Sequence, residues 1–313
     1  MIKKIIIFVF LSLFSISNAQ AVDLWLKNIP LKNLQELYQQ VGYTGIEEKN
    51  WLMIPSYKYP PIFLKNFPKE FYTLNDETER NSLFIKMLAP LCLKLNQDLL
   101  AERQTILDIE EAYDKSHSLS DKQINILEKK SEKYDIFTRL KDNNRYDYLI
   151  SELINRIDII PPSLMITLAS IETDFGSSRI VKEGNSLYKM LQWHTKAGLK
   201  PIGENEDDSY RIKTYPDLYS SLKDFALKIN SSPNFAFLRI ARADARRHAT
   251  TPRILGFNIA TYAFTNSELR NYAGIIDYTL SYYELTIIDK SVLDNEAISN
   301  KVAKQYSKFT TKK

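Results

Sequence analysis

The fold is decided by residues 161–179, which read PPSLMITLASIETDFGSSR. Proline is tolerated in the first turn of a helix, so the proline pair at the start of this stretch predicts that a helix opens here. Gly176 suits the C-terminal cap of the same helix. We therefore predict a helix from Pro162 to about Phe175, with Glu172 in its last turn.

Glu172 has the surroundings that a catalytic acid needs. Leu168 lies four residues before it and Phe175 three after it, so both share its helix face. Ala169 and Gly176 are its other neighbours at helical spacing, and they leave room beside the carboxylate. Apolar surroundings and the negative end of a helix both favour the neutral form of a carboxyl group, which a general acid needs near neutral pH. The alternative interpretation is a surface glutamate without a catalytic role.

Helical patterns dominate the chain on both sides of this segment. Before it, Ser82–Glu111 is a long run with apolar residues recurring at helical spacing, and Pro90 inside the run should kink the helix or split it in two. After it, Gly198–Tyr215 combines turn residues with a strand-like alternation, which predicts a small β-hairpin lobe. Further helices are predicted at residues 122–141, 147–156, 218–230, 234–248, 251–262 and 267–285.

Residues 1–21 have the pattern of a signal peptide. Lys3 and Lys4 form the charged start, Ile5–Ile16 is a short apolar run, and the small residues up to Ala21 fit a cleavage site. The run is shorter than the ~20 residues of a membrane-spanning helix, so an uncleaved anchor is the less favoured alternative. We expect an exported protein whose mature chain has no membrane span. Loss of the two lysines lowers the formal charge from +4 to about +2.

The composition argues against several other functions. A charge of about +2 is not that of a nucleic-acid-binding protein, which usually has a strongly basic face. Cys92 is the only cysteine and has apolar neighbours, which predicts a buried residue rather than a nucleophile. His117, His194 and His248 lack the spacing of zinc ligands, and the sequence has no glycine-rich phosphate-binding motif. Neither a metal nor an organic cofactor is expected.

A series of motifs resembles the bacterial glucosaminidase domains, which are peptidoglycan hydrolases with a lysozyme-like core, and in particular their Bax-type branch. The matching blocks are Pro161–Leu164, Ala169–Arg179, Glu183–Tyr188, Tyr210–Phe225, Asn230–Arg239, Tyr262–Ala263 and Tyr272. They span about residues 145–290, and together they are far more specific than any one of them. Two positions depart from the family pattern. Phe175 replaces a tryptophan, and Lys189-Met190-Leu191 replaces a Gly-Gln-Trp, a change that would reshape the floor of the substrate groove.

The resemblance implies roles for individual residues. Glu172 matches the catalytic glutamate, the proton donor to the glycosidic oxygen. Tyr262 matches the active-site tyrosine that positions or polarises the reacting sugar, and Asn185 is expected to bind substrate. Aromatic residues suited to stacking on sugar rings, although such spacing is also typical of a core, are Tyr188, Trp193, Tyr210 and Tyr215.

A glycosidase usually needs a second group at the oxocarbenium-like centre, either another carboxylate or the acetamido group of the substrate. The candidate carboxylates lie in an acidic turn and are Glu204, Glu206, Asp207 and Asp208. We select Glu204, because Gly203 before it would let the backbone approach the groove. Such a turn is also typical of a solvated loop.

A basic stripe is predicted on one helix downstream. Arg239, Arg242 and Arg246 recur at helical spacing, so their side chains share a face. A salt-bridged, solvated face is the plainer interpretation, and contact with an anionic wall polymer is the alternative.

The sequence thus predicts an α+β protein that is mostly α, with a lysozyme-like catalytic core, a small β-hairpin lobe and a helical N-terminal extension. The expected parts are a signal peptide at 1–21, a helical region at 22–145, a glucosaminidase domain at 146–290 and a lysine-rich tail at 291–313, whose end we expect to be frayed.

The expected activity is hydrolysis of the β-1,4 bond after N-acetylglucosamine in the glycan strands of peptidoglycan. The resemblance to the Bax-type branch places this activity in the periplasm. Two alternatives stay open. One is a muramidase or lytic transglycosylase on the same core, and the other is a catalytically weak wall-binding or scaffold protein.

Overall fold

The computed structural model describes residues 22–43, 58–203, 209–248 and 266–311. These residues are mostly helical with a few short strands, so the mostly α, α+β class is confirmed. The helices are α1 (Leu31–Gln40), α2 (Glu77–Ser116), α3 (Asp121–Lys133), α4 (Asp142–Arg156), α5 (Pro162–Thr173), α6 (Arg179–Gly184), α7 (Leu218–Ser231), α8 (Ala236–His248), α9 (Asn266–Tyr282) and α10 (Asn300–Gln305). The predicted helix at 251–262 and the signal peptide at 1–21 lie outside the described residues.

The strands form short two-stranded pairs around the helices. They are β1 (Leu24–Leu26), β2 (Lys58–Tyr59), β3 (Ile62–Leu64), β4 (Leu191–Trp193), β5 (Tyr210–Ile212) and β6 (Val292–Leu293). β1 pairs with β3 and β2 with β6, both in parallel, while β4 and β5 pair antiparallel. The antiparallel pair stands where the β-hairpin lobe was predicted, except that its first strand precedes Gly198.

Helix α5 forms the centre of the molecule. Pro162 occupies its first turn, as predicted, and residues 162–170 are all buried. It packs against α2, α9 and the 3-10 turn Leu285–Lys290. At its start, the Ser163 amide and hydroxyl donate hydrogen bonds of 2.9 and 2.7 Å to the Asp289 carboxylate. A helix that is buried on all sides belongs to a core, and this position leaves only its carboxyl end near solvent.

Helix α2 runs unbroken through Pro90, so of the two predicted outcomes, a kink or a split, the split does not occur. A proline inside a helix leaves the carbonyl four residues earlier without its N–H donor. Here that carbonyl belongs to Lys86, and the Tyr43 hydroxyl donates to it at 3.0 Å. Because a distant side chain replaces the lost bond, the helix continues to Ser116.

The basic stripe on α8 is neither a solvated face nor a wall-binding surface at its first two positions. Arg239 and Arg242 are only 3% and 5% exposed. The Arg239 guanidinium donates to the carbonyls of Ile229 and Ser232 at 3.0 and 2.8 Å. Arg242 donates to the carbonyls of Asn155, Arg156, Asp158 and Ile159 and to the Asn230 side chain. Burial lowers the pKa of both arginines to about 10. These side chains therefore join α8 to the end of α4 and to α7.

The C-terminal segment up to Thr311 packs against β1, which corrects the expectation of a frayed tail for these residues. The Thr311 amide donates to the Trp25 carbonyl at 3.0 Å, and the Lys27 amide donates to the Phe309 carbonyl at 2.9 Å. Tyr306 is buried in the same region. These bonds fix the lysine-rich segment against β1, where its backbone groups find partners.

Two apolar cores organise these elements. The larger combines residues from Leu24–Leu99 with residues from Ile160–Tyr306, and the smaller lies among the end of α2, α3 and α4. The N-terminal region therefore shares a core with the segment that resembles a glucosaminidase, and residue 146 falls inside α4. Within the described ranges, no helix combines the length and apolar character needed to cross a bilayer.

Candidate active site

Glu172 is the one ionisable residue in the sequence of α5, and it lies in the last turn. The residues before it up to Ser170 are buried, whereas Glu172 is partly exposed. Its Oε1 accepts a hydrogen bond of 2.8 Å from the hydroxyl of Tyr272 on α9. The central helix thus delivers one carboxylate to the surface, at the helix end where the dipole disfavours negative charge.

The Tyr272 hydroxyl is a hydrogen-bond donor in this pair. Burial, and then the neighbouring Glu172 carboxylate, raise the pKa of Tyr272 far above its ordinary value. The phenol therefore stays protonated at physiological pH and fixes one oxygen of Glu172. Among the described residues, nothing donates to Oε2 of Glu172, so the hydrogen bond from Tyr272 holds one of the two carboxylate oxygens.

A tight turn fixes the end of α5 directly after Glu172. Asp174, Phe175 and Gly176 all have left-handed backbones, with φ of 49°, 48° and 76°. The Thr173 hydroxyl donates to the Ala169 carbonyl at 2.5 Å and accepts from the Gly176 amide at 2.9 Å. The left-handed run thus begins two residues before the glycine that was predicted as the cap.

Gly176 cannot be exchanged for a larger residue without movement of its neighbours. A Cβ atom there would lie 2.7 Å from Cδ2 of Phe84 and 2.9 Å from Cε2 of Phe67. The sequence signal for this glycine was the helix cap, and the close approach to α2 is a second reason for it. The approach brings the turn after Glu172 directly against α2.

Aromatic contacts hold the turn between two helices. The Phe175 ring lies 5.9 Å from that of Phe84 on α2 and 5.0 Å from that of Tyr283, just after α9. The Asn81 side chain donates to the Tyr283 hydroxyl at 2.9 Å. Phe175 therefore serves as the packing residue that joins α2, α5 and α9 beside Glu172.

Two of the predicted substrate-binding residues have structural roles here. Tyr188 is buried, its ring stacks on Phe225 at 3.9 Å, and its hydroxyl donates to the Met165 carbonyl at 3.2 Å. Asn185 takes the left-handed position after α6, and its side chain donates to the Tyr215 carbonyl at 3.1 Å. The Tyr188 hydroxyl is thus engaged inside the core, whereas Asn185 is partly exposed and binds the backbone after β5 through its Nδ2 atom.

The β-hairpin lobe carries three of the predicted sugar-stacking residues. Trp193 is 58% exposed and pairs across the strands with Tyr210, with ring centroids 5.1 Å apart. Tyr215 instead donates its hydroxyl to Asp224 at 2.7 Å. Of the predicted sugar-stacking residues, Trp193 is thus the one with an exposed ring, while Tyr210 and Tyr215 are both partly buried. The predicted Glu204 and Tyr262 lie outside the described residues.

A cavity of about 430 Å³ lies between α2 and α7, away from Glu172. Its acidic residues are already paired. The Tyr219 hydroxyl donates to Asp98 at 2.8 Å, Lys130 binds Glu102 at 2.5 Å, and Lys213 binds Asp224 at 2.9 Å. These pairs join helices and strands to each other, so the cavity is part of the helix packing rather than of the site.

The fold and the site define a mostly helical α+β protein with a carboxylate–tyrosine pair at the end of its central helix. The chain is similar to the protein named Protein bax of Escherichia coli (strain K12), with 23% identity over 205 residues, which is 62% of this chain and 68% of that protein. This distant homology supports a Bax-like family. No family model matches the chain, and no solved structure matches it significantly.

Proposed function

We propose that this protein is an exported glycoside hydrolase of the glucosaminidase type, with Glu172 as its general acid and a lysozyme-like arrangement of its core. The substrate is the glycan strand of peptidoglycan, and the bond cleaved is the β-1,4 bond after N-acetylglucosamine. The periplasm is the proposed compartment. The observation that carries the proposal is the pairing of Glu172 with Tyr272 at the exposed end of an otherwise buried helix.

The chemistry follows from the two oxygens of Glu172. Tyr272 occupies Oε1, which sets the orientation of the carboxyl group. The proton on Oε2 passes to the glycosidic oxygen as the bond to the anomeric carbon breaks. Water then adds to that carbon and loses a proton, either to a carboxylate of the acidic turn or back to Glu172. The Tyr272 hydroxyl stabilises the carboxylate that remains on Glu172. The second group at the anomeric centre is either Glu204, or a different acid of the acidic turn, or the acetamido group of the substrate.

The test uses the mature protein and purified sacculi. Released fragments are reduced with borohydride, and their new ends are identified by mass spectrometry. N-acetylglucosaminitol ends are expected from the wild type. Glu172→Gln should abolish release, while Tyr272→Phe should slow it about ten- to a hundredfold, because a hydrogen bond to a charged group contributes ~1.5–3 kcal/mol.

Glu183→Gln is the matched control. Glu183 is an exposed carboxylate on the nearby helix α6, paired with Arg179, so its loss should leave the release rate unchanged. Muramitol or anhydromuramic ends would move the cleaved bond and support the muramidase or transglycosylase alternative. Sacculus binding without any fragments would contradict the hydrolase and support the scaffold alternative.

A further inference from the structure

Helix α9 exposes large apolar side chains close to Glu172. Ile275, Tyr278 and Tyr282 are 47%, 64% and 57% exposed. They recur at helical spacing, so they form one face of α9 next to the packed face that carries Tyr272. The rings of Tyr278 and Tyr282 are nearly parallel, with an interplanar angle of 24° and centroids 5.4 Å apart. We call these two residues the tyrosine pair.

The tyrosine pair is connected to the candidate active site by direct contacts. The Tyr282 ring contacts that of Tyr283 at 4.9 Å, and Tyr283 contacts Phe175 at 5.0 Å. Phe175 belongs to the turn that follows Glu172. Along α9, the distance from Tyr272 to Tyr282 is about 15 Å at the helical rise of ~1.5 Å per residue. This length exceeds that of one sugar ring, so the surface can only be reached by a longer ligand bound at Glu172.

Arg80 of α2 contacts the same turn, and its charge is only weakly compensated by neighbouring acids. The Arg80 side chain is 17% exposed, and its contact with an acid is a 3.9 Å approach to Asp174, whose own side chain is 72% exposed. Within the described residues, Nε of Arg80 has no hydrogen-bond partner. Confining a charge in this way is unfavourable unless a partner neutralises it, and an exposed acid at 3.9 Å does so only weakly.

We propose that the tyrosine pair and Arg80 extend the binding surface of the Glu172 site, and that they select a long glycan strand that carries carboxylates. This inference rests on the proposed function, because it takes the glycan as the molecule bound at Glu172. Tyrosine offers a flat ring for a pyranose face and a hydroxyl for its polar edge. Arg80 offers a guanidinium to a carboxylate, which peptidoglycan carries on its stem peptides, and on its lactyl groups where the peptide has been removed. A glycan therefore matches both features of this surface.

The first experiment measures sacculus binding in the Glu172→Gln background, so that cleavage does not interfere. Adding Tyr278→Ala and Tyr282→Ala together should weaken binding about tenfold, which corresponds to ~1.4 kcal/mol. Phe237→Ala is the matched control, because Phe237 is an equally exposed aromatic residue on α8 (77%). Equal binding by the tyrosine double variant and the control would overturn the role of the tyrosine pair.

The second experiment tests the charge. Adding Arg80→Gln to the same background should weaken binding to native sacculi, and this difference should disappear on sacculi whose carboxylates have been amidated. Lys115→Gln, at the far end of the same helix, removes an exposed cation as the control. A difference of the same size on native and amidated sacculi would contradict a carboxylate contact.

The failure of this inference and that of the proposed function give different results. Absence of fragments from the wild type, with binding that still depends on the tyrosine pair and Arg80, would refute the hydrolase but keep the binding surface. Normal fragment release with unchanged binding in these variants would refute the surface alone. If the tyrosine variant instead converts a dimer to a monomer without loss of sacculus binding, the face is an interface between copies of the chain, and the inference is wrong.

Discussion

Replacing Gly176 with alanine is expected to lower the free energy of unfolding by about 2–5 kcal/mol. Two effects add. The left-handed backbone at φ 76° disfavours any Cβ by ~1–2 kcal/mol. The same Cβ would lie 2.7 Å from Phe84, and overpacking of this kind costs ~1–3 kcal/mol. The Phe84 and Phe67 rings are both fully buried, so neither can turn out to solvent.

Gly42→Ala separates the two effects. Gly42 has a similar φ of 68°, but a Cβ atom added there would meet no other atom within 4 Å. It should therefore lose only the backbone contribution of ~1–2 kcal/mol. The free energy of unfolding of both variants is measured by urea unfolding, monitored by circular dichroism. Equal slopes of this free energy against urea concentration would show that the unfolded states are comparable. Equal losses of stability for the two variants would refute the close packing of the turn against α2.

Three further predictions concern elements around the site. Burial raises the pKa of Asp289 to about 6 from its ordinary 3.8. The folded state then keeps a proton that the unfolded chain releases. The free energy of unfolding should therefore fall by ~3 kcal/mol as the pH rises from about 4 to 6. Urea unfolding of Asp289→Asn should not show this decline. Gly274→Ala, at an open helical position, should raise the thermal midpoint through a gain of ~0.5–1 kcal/mol. Arg242→Leu should cost ~3–5 kcal/mol, measured by the same unfolding, and a loss below 1 kcal/mol would contradict its buried role.

Local signals in the sequence were sufficient for the elements that position Glu172. The start of α5 is encoded by Pro162, whose fixed φ suits a first helical turn. Gly176 indicates where the helix ends, although the left-handed run already begins at Asp174. The hairpin lobe was likewise predicted from turn residues and alternation. Each of these signals acts within a few residues, so the chain does not need its tertiary neighbours for them to operate.

Features that depend on distant residues were not predicted. Pro90 is tolerated because Tyr43 donates to the carbonyl that the proline leaves free, and nothing near Pro90 in the sequence indicates this. Arg239 and Arg242 have the spacing of a solvated stripe, yet both are buried and donate hydrogen bonds to backbone carbonyls outside α8. The pairing of Tyr272 with Glu172 spans 100 residues. The motifs included Tyr272 without giving it a role, and periodicity alone could not select it among the many tyrosines.

Most of the motif residues whose contacts the structure describes hold the scaffold together. Asn185 ends α6 and binds the hairpin, Asn230 accepts from Arg242, and Gly176 permits the turn against α2. A protein could keep all of these contacts and lose catalysis, because each of them joins one part of the protein to another. The resemblance to the glucosaminidase domains therefore supports mainly the fold. The proposed chemistry depends on Glu172 and its hydrogen bond from Tyr272, so the proposed activity is to be tested on that pair.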